Sequence, residues 1–210
     1  MSTPQLATQP VGAFLDDLAA RTPAPGGGAT AALHAAQAAA LLGMVARYTT
    51  GERYADHADL VQGLVEASDT ERAAALQLAA ADAAAFTAVT AAYGMPRGTG
   101  EEKTRRKDAI AEALVGAAAP PAEVIRTVVS LLDLAESLLP VANRNVITDV
   151  AAATEAARAA AATARLNVEI NLGGIRDEQV RAGLRRVLGH VDDVVRRAGE
   201  VERSVRAMLV

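Results

Sequence analysis

The pattern of hydrophobic and polar positions along the chain is helical, and its most apolar stretch covers residues 29–46. This stretch consists mostly of alanine and leucine, which are strong helix formers. Its polar residues His34 and Gln37 do not amount to a polar face. Because a helix without a polar face is buried on all sides, we predict a central helix that is entered through the loop 23–28 and surrounded by the other helices.

The next segments also follow helical periodicity. Residues 11–20 form a short amphipathic segment, and residues 55–93 form one long segment. In the long segment, apolar side chains recur at steps of three, four or seven, at Leu60, Leu64, Ala67, Ala74, Leu78, Ala81, Ala85 and Val89. Residues 100–118 begin at a capping box made by Thr99 and Glu102. Pro120 and Pro121 are predicted to open a separate helix over 120–139, since proline suits a first helical turn.

The C-terminal part contains two more helical patterns. Residues 148–171 are alanine-rich and end before two glycines. The last pattern is a heptad seam flanked by arginine and acidic residues, at Val180, Leu184, Val187, Val191, Val194, Ala198, Val201, Val205 and Met208. The seam packs along its own subunit or along a partner. We therefore predict an all-α fold, a bundle of about seven helices, with a flexible tail at 1–10 and a single domain at 11–210.

The composition excludes several classes of function. A net charge of -4 argues against a nucleic-acid surface, and the absence of cysteine excludes disulfides, thiol nucleophiles and zinc–thiolate sites. The three histidines lack ligand spacing, so we expect no metal. Aromatic residues make up only 2% of the chain, and alanine-rich helices bury little area each. We therefore expect at least a dimer.

The N-terminal region raises the question of targeting. The first ten residues have neither a basic flank nor an apolar core, so they do not form a signal peptide. The uncharged run 22–46 is long enough to span a membrane. It begins with proline and glycine, however, and His34 and Gln37 would be costly in lipid. We expect no membrane span and a cytoplasmic location.

The first candidate for chemistry is a single carboxylate in the long helix. Asp82 is the only charged side chain between Arg72 and Arg97, and it lies one turn before Phe86 on the same face. A carboxylate in an apolar helix is driven toward its neutral form, which suits a general acid or base. The alternative is an aspartate at the edge of the apolar stripe that reaches water or a helix end.

Gly26, Gly27 and Gly28 form a second candidate site. The first turn of a helix leaves backbone N–H groups unpaired and carries the positive end of the helix dipole. Glycine lets a ligand come close to the main chain, so an anion or a polar heterocycle could bind there. The alternative is a tight corner whose glycines only allow close packing of helices.

Other polar residues stand in an otherwise apolar sequence. Asp149 lies in the first turn of a predicted helix and suits its dipole, and Asn145 suits a turn. Asn167 and Asn171 share one helical face and need partners, either from another helix or from a ligand. Arg106 belongs to a basic face that is either solvated or a docking site for a polyanionic tail.

Six segments, in this order and spacing, resemble the cyclodeaminase domain of formimidoyltransferase-cyclodeaminase and its stand-alone bacterial relatives, the cyclodeaminase/cyclohydrolase proteins. They are 14–28 (FLDDLA to PAPGGG), 44–54 (MVA to TTGERY), 82–86 (DAAAF), 106–110 (RKDAI), 143–149 (NRNVITD) and 167–171 (NVEIN). Together they extend over nearly the whole chain. Two positions depart from the family pattern: Ala29 replaces a frequent serine after the glycines, and Thr148 replaces the serine before Asp149.

The resemblance implies an all-α homodimer that acts on a tetrahydrofolate derivative, without a further cofactor or metal. It implies that Asp82 is the catalytic acid/base and that Asp149 is a second or orienting carboxylate. The substrate-binding residues that it implies are Gly26, Gly27, Gly28, Tyr54, Arg106, Asn145, Asn167 and Asn171. In this hypothesis the glycines cradle polar groups, the asparagines hydrogen-bond the pterin, and Arg106 meets the glutamate tail.

The activity that we expect from this resemblance is cyclodeamination of 5-formimidoyltetrahydrofolate. N10 attacks the amidine carbon on N5, ammonia leaves, and 5,10-methenyltetrahydrofolate forms. Two alternatives stay open. As a cyclohydrolase, the same site would add water to the methenyl form and give 10-formyltetrahydrofolate. As a non-catalytic module, the chain would only bind folate or assemble with other proteins. We expect no transferase domain, so the chain would not load the formimidoyl group itself.

Overall fold

The computed structural model describes residues 6–209, and Met1–Gln5 and Val210 lie outside it. Every regular element in this range is helical, which confirms the predicted all-α class. The α-helices are α1 (Val11–Ala19), α2 (Gly27–Tyr48), α3 (Ala58–Gly94), α4 (Gly100–Leu138), α5 (Ile147–Leu172), α6 (Glu178–Leu188) and α7 (Val191–Ala207). Short 3-10 helices lie at Leu6–Thr8, Glu52–His57 and Arg144–Val146. Of the predicted tail, residues 1–5 are outside the described range, and the turn at Leu6–Thr8 contacts α3.

The predicted central helix is present as α2, but it is buried on most sides and not on all of them. α2 packs against α3, α4 and α5 at once. One strip along α2 stays open within the subunit, where Gln37 and Ala40 are exposed and Leu41 and Met44 are partly exposed. Most of the rest of the helix surface is buried, at Ala29, Ala31, Ala32, Ala35, Ala36, Ala38, Ala39, Leu42, Val45 and Ala46. Because these side chains are small, neighbouring helices approach closely. A Cβ built on Gly43 would lie 3.3 Å from the Cβ of Ser68 on α3.

The long helix predicted over 55–93 is present as α3 and is unbroken, although a 3-10 turn replaces its first three residues. Its buried stripe is displaced from the predicted one. Leu60 is 44% exposed and Ala81 is also exposed. Of the predicted positions, only Leu64 is fully buried, and the other buried positions are Val61, Ser68, Ala75, Ala79, Ala83 and Ala92. In an alanine-rich helix, several faces fit the same periodicity, so the pattern left the orientation of α3 undetermined.

The prediction of two helices separated at the proline pair is wrong. α4 runs without interruption from Gly100 to Leu138, starts at the predicted capping box, and contains Pro120 and Pro121 as buried residues. Each proline removes the N–H that would bond the carbonyl four residues earlier. For Pro121 that carbonyl belongs to Ala117, and it accepts a hydrogen bond from Asn171 Nδ2 at 3.3 Å. A donor from α5 therefore replaces one of the two lost backbone bonds.

The single C-terminal helix predicted from the heptad seam is also wrong, because the structure divides it into α6 and α7. The division falls at Gly189 and His190, where the His190 N–H bonds to the Val187 carbonyl, three residues back instead of four. Glycine is a weak helix former, and it stands at the junction. The seam itself is buried in its own subunit, where α7 packs on α5 and α4.

The antiparallel arrangement of α2 with α3 and with α5 decides which residues meet. On the α3 side, Gly43 faces Ser68 and Gly28 faces Asp82. Lower residue numbers on α2 therefore pair with higher residue numbers on α3. On the other side, Gly27 faces Asn167. The start of α5 is joined to the end of α2, because Asn143 Nδ2 donates to the Tyr48 carbonyl at 2.7 Å.

By length and composition alone, three helical stretches of the described chain could cross a membrane: Gly27–Tyr48, Glu52–Gly94 and Gly100–Leu138. Protein buries 61% of the first apolar window and 50% of the third, but only 17% of the second. Core packing therefore accounts for much of the hydropathy of α2 and α4. The open side of α3 is largely alanine, which exposes little apolar area per residue. The prediction of no membrane span stays a prediction.

Candidate functional site

The candidate site lies at the N-terminal end of α2, where a carboxylate from α3 meets the glycine turn. Asp82 points at Gly28 so closely that a Cβ on Gly28 would lie 2.0 Å from its Oδ1 and 2.5 Å from its Oδ2. Only a glycine leaves room for the carboxylate in this position. Asp82 and the glycine run, which were two separate candidates in the sequence, therefore lie in contact. The catalytic role of Asp82 stays a prediction.

The environment of Asp82 shifts its acidity. Burial among alanine side chains raises its pKa above the ordinary value, because a desolvated carboxylate is less stable than the neutral acid. A hydrogen bond with the backbone N–H of Ala29 acts in the opposite direction and stabilises the ionised form. The net pKa is raised. The group is thus held more protonated than an exposed aspartate, in contact with the positive end of a helix.

The N-cap residue of α2, Gly26, provides no side-chain cap, and Asp82 engages only the N–H of Ala29 in the first turn. The first intrahelical bond of α2 runs from the Thr30 N–H to the Gly26 carbonyl at 3.0 Å, so the N–H groups of Gly27, Gly28 and Ala29 precede the helical ladder. Thr30 does not replace the missing family serine as a cap. Its hydroxyl also donates to the Gly26 carbonyl, at 3.0 Å.

Asn167 approaches the same turn from α5. A Cβ on Gly27 would lie 3.6 Å from its Nδ2 and 3.9 Å from the Thr163 Cγ2. The Asn167 amide donates to the Thr163 carbonyl at 2.8 Å, which leaves its carbonyl oxygen and its second N–H without protein partners in the described range. The structure therefore brings together Asp82, Asn167 and the glycines, as the site prediction requires.

Asn171 lies one turn further along α5, and its amide is engaged with the protein. Nδ2 donates to the Ala117 carbonyl at 3.3 Å and to the Asn167 carbonyl at 2.8 Å. Both of its donor hydrogens thus serve α4 and α5, and only Oδ1 remains for a ligand. Asn171 therefore supports α4 at its proline pair. Its predicted role in substrate binding stays a prediction.

Arg106 lies at the turn between α3 and α4. Its Nε and Nη2 donate to the Tyr93 carbonyl at 3.3 and 3.1 Å, and its guanidinium carbon is 5.6 Å from the centroid of the Tyr93 ring. These contacts satisfy a carbonyl at the C-terminal end of α3. Since Tyr93 follows Asp82 by 11 residues on one helix, Arg106 is about 17 Å along the axis from the carboxylate.

Three predicted residues lie at the opposite end of the subunit. Asp149 and Asn145 are at the start of α5, and Tyr54 lines a cavity of about 410 Å³ beside the end of α2. Asp149 and Asn167 are separated by 18 residues of α5, which corresponds to about 27 Å. The structure therefore does not bring the two predicted catalytic carboxylates together within one chain.

At the end of the subunit opposite Asp82, the predicted polar side chains are available to bind a ligand or a partner. Asp149 is half-buried and Asn145 is exposed, and neither side chain has a hydrogen-bond or ion-pair partner within residues 6–209. The guanidinium carbon of Arg53 is 5.6 Å from the centroid of the Tyr54 ring. Within the described chain, no group of three or more histidine or acidic side chains could hold a metal ion.

Sequence reasoning missed two parts of the site. The backbone N–H of Ala29 contacts the Asp82 carboxylate, and the Thr163 methyl lies against Gly27. The first could have been found from the general rule that a first-turn N–H attracts a carboxylate. The second carried no signal, since a threonine in an alanine-rich helix has nothing that distinguishes it.

Comparison with known proteins gives consistent results. A family model described as formiminotransferase-cyclodeaminase matches residues 10–189. The chain is 38% identical over 194 residues to a methenyltetrahydrofolate cyclohydrolase from Methylorubrum extorquens, and the match covers 91% of each protein. It is 36% identical over 167 residues to formimidoyltransferase-cyclodeaminase from Rattus norvegicus, and there it covers 79% of this chain but 31% of the relative.

A solved structure has the same fold. The crystal structure of formiminotetrahydrofolate cyclodeaminase from Thermotoga maritima superimposes with a TM-score of 0.81 at 30% sequence identity. The superposition covers 97% of this chain and 96% of that one. The similarity therefore extends over the whole helical bundle as well as over the sequence segments around the site.

Proposed function

Because the chain belongs to the formiminotransferase-cyclodeaminase family, we propose that it catalyses the cyclodeamination of 5-formimidoyltetrahydrofolate to 5,10-methenyltetrahydrofolate and ammonia. The relatives are folate one-carbon enzymes, which sets aside the non-catalytic alternative. The observation that carries the proposal is the partly buried carboxyl of Asp82, with a raised pKa, held on Gly28 at the start of α2.

The reaction needs a proton donor at the leaving nitrogen. When N10 attacks the amidine carbon, N10 loses its proton, and the exocyclic nitrogen gains two protons and leaves as ammonia. One of these protons balances the one that N10 loses, and the other comes from a general acid. A carboxyl whose pKa is raised by burial is protonated over a wider pH range, and it can donate that proton. After the transfer, the Asp82 carboxylate faces a substrate that has become a methenyl cation, and the opposite charges attract.

The remaining residues have positioning roles in this proposal. The N–H groups of Gly27 and Gly28 and the free amide atoms of Asn167 bind polar groups of the pterin. Arg106, about 17 Å along α3 from Asp82, lies where the glutamate end of an elongated substrate would reach. Asn171 holds Asn167 and α4 in place. The proposal requires no cofactor and no metal besides the folate.

A second candidate reaction is hydrolysis of 5,10-methenyltetrahydrofolate to 10-formyltetrahydrofolate. It is favoured by the relative from Methylorubrum extorquens, which carries the cyclohydrolase name and matches over 91% of both chains. Hydrolysis needs a base that removes a proton from water. The ionised carboxylate of Asp82 can serve as that base, and its raised pKa makes it a stronger base than an exposed aspartate.

The two reactions are distinguished by the methenyl chromophore. The purified protein is given 5-formimidoyltetrahydrofolate or 5,10-methenyltetrahydrofolate in separate cuvettes, and the methenyl absorbance is followed against the uncatalysed rate. We expect the absorbance to rise with the first substrate and the ammonia released to match it. A faster loss of absorbance with the second substrate, and no change with the first, would assign the hydrolase reaction instead.

We also propose that the protein is a cytoplasmic homodimer that associates through the face made by α2 and α5. This face carries a shallow groove of about 540 Å³ lined by Gln37, Ala40, Leu41, Met44, Ala152 and Ala156. Two large side chains further along α5 are strongly exposed, Leu166 at 65% and Ile170 at 79%. An apolar strip of this kind loses its contact with water when a second copy covers it.

A dimer of this kind explains how Asp149 can serve the site. In a twofold interface, each patch meets its own counterpart in the reverse direction. A twofold axis that crosses the middle of α2, perpendicular to the helix, would place the Asp149 end of one subunit against the Asp82 end of the other. Each dimer would then hold two sites, and each site would combine Asp82 from one subunit with Asp149 from its partner.

Subunit complementation tests this arrangement. Asp82→Asn and Asp149→Asn are each expected to be inactive as homodimers. In a heterodimer, one site carries both changes and the other carries none, so a randomly mixed population should recover about a quarter of the wild-type activity. Activity is measured after joint refolding and again on heterodimers isolated with two affinity tags. Isolated heterodimers without activity, or a fully active Asp149→Asn homodimer, would exclude a shared site.

A further inference from the structure

One aromatic side chain near the site has no role in the proposed proton transfer. Phe86 follows Asp82 by four residues on α3, so the two side chains are neighbours on one helical face. Phe86 is 48% exposed, whereas Phe14, the other phenylalanine, is 8% exposed and belongs to the core. About half of the Phe86 side chain is therefore open to contact with a ligand.

The helix register places Phe86 at the mouth of the site. Since Gly28 faces Asp82 and α2 and α3 are antiparallel, the turn after Asp82 extends beyond the first residue of α2, to the level of the loop 23–26. A ligand that contacts the free N–H groups of α2 and the Asp82 carboxyl would therefore have Phe86 on the α3 side of its ring system.

The surface around Phe86 is apolar, and its neighbouring hydroxyl groups donate their hydrogen bonds within α3. The neighbouring hydroxyls of Thr87 and Thr90 both donate into their own helix, to the carbonyls of Ala83 at 2.9 Å and Phe86 at 3.1 Å. The stretch of α3 that follows Asp82 thus presents a ring face without competing polar groups. A planar heteroaromatic group can stack on such a face, whereas an anionic or strongly hydrated group gains nothing there.

Within one subunit, no other aromatic ring of the described chain is available at this position. Tyr54 and Tyr93 each have an arginine guanidinium 5.6 Å from the ring centroid. Tyr48 lies at the far end of α2, away from Asp82 in the same subunit. With Phe14 in the core, Phe86 is the ring that remains free beside the carboxylate.

We propose that Phe86 is the stacking platform for the pterin ring of the substrate, so that it positions the N5–N10 region of the folate against Asp82 and the start of α2. This inference rests on the proposed function. It assigns Phe86 a binding role that acts on the heterocycle and not on the p-aminobenzoylglutamate tail. Stacking holds the ring in the substrate and in the transition state alike, so it should appear in KM more than in kcat.

The test compares Phe86→Leu with Phe86→Tyr. Leucine keeps an apolar side chain but removes the ring, and tyrosine keeps the ring. Calorimetric titration with 5-formyltetrahydrofolate, an unreactive analogue, should show about tenfold weaker binding for Phe86→Leu and binding within about twofold of wild type for Phe86→Tyr. KM should follow the same order, and kcat should change by less than about threefold. Leu60→Ala, at an exposed position near the other end of α3, serves as the control with unchanged binding.

A substrate fragment distinguishes stacking on the pterin from a contact with the tail. Binding of p-aminobenzoylglutamate, which lacks the pterin, should be the same for wild type and Phe86→Leu. Equal weakening of the fragment and of the whole analogue, or a shift of Phe86→Leu from dimer to monomer in sedimentation, would overturn the proposal and make Phe86 a tail contact or an interface residue. If wild-type protein binds no folate at all, the proposed function fails as well. If wild type binds and Phe86→Leu binds equally, only the stacking role is lost.

Discussion

Asp82→Asn is expected to reduce turnover by about a thousandfold, since general acid–base groups typically contribute between a hundredfold and ten thousandfold. Asparagine has nearly the shape of aspartate and fits the same space over Gly28. It has no proton to give to the leaving nitrogen and no charge to face the methenyl cation. The measurement is kcat with 5-formimidoyltetrahydrofolate, with binding of 5-formyltetrahydrofolate as a check that the site still accepts folate.

The stability of Asp82→Asn separates loss of chemistry from loss of fold. Burial raises the pKa of Asp82 in the folded protein, so the neutral form contributes stability that is fully present below the unfolded pKa of about 3.9 and is lost as the pH rises through the folded pKa. The variant should therefore be as stable as wild type at low pH and somewhat more stable at pH 7. A variant that retains more than a tenth of wild-type kcat would exclude Asp82 as the proton donor.

The parts of the fold that the sequence predicted are those that depend on neighbouring residues or on one strongly apolar stretch. The capping box of Thr99 and Glu102 is local, and it is present with both of its hydrogen bonds. The central position of α2 followed from the absence of a polar face between residues 29 and 46. In both cases no distant residue had to be known.

The wrong predictions concern positions where a distant residue decides the outcome. Pro120 and Pro121 end a helix by local rules, but Asn171, 50 residues later, supplies a donor to the freed Ala117 carbonyl. The seam of the last helix was placed correctly as a buried surface. Its division at Gly189 was missed, because an apolar heptad pattern continues unchanged across one shortened turn.

Only the part of the candidate site around Asp82 and the glycine run was predictable from the residues themselves. A lone carboxylate in an apolar helix and a glycine run at a helix start each signal a special environment, and the structure places Asp82 on Gly28. Which helix ends lie together, by contrast, depends on the packing of whole helices and leaves no local pattern. The grouping of Asp149 with Asp82 rests on the family resemblance alone, and within one subunit about 27 Å of α5 separates Asp149 from Asn167 at the Asp82 end.

Gly28→Ala is expected to reduce turnover by about a hundredfold, because misplacement of a catalytic group by about 1 Å costs this much. The new methyl carbon would lie 2.0 Å from Oδ1 and 2.4 Å from Cγ of Asp82, so the carboxylate must rotate away from the first turn of α2. The backbone itself accepts alanine, since Gly51 is the only glycine with positive φ in the described chain. The gain in helix propensity offsets part of the lost contact, and we expect the melting temperature to change by only a few degrees.

Two further glycines and one double variant make this result specific. A Cβ on Gly27 would lie at an ordinary 3.6 Å from Asn167, and one on Gly63 would meet nothing within 4 Å. Gly27→Ala should therefore lose less activity than Gly28→Ala, and Gly63→Ala should lose none. If Gly28→Ala acts only by displacing Asp82, adding it to Asp82→Asn should cost no further turnover, because effects that share one group are not additive. A full additional hundredfold loss in the double variant would mean that Gly28 contacts the substrate independently of Asp82.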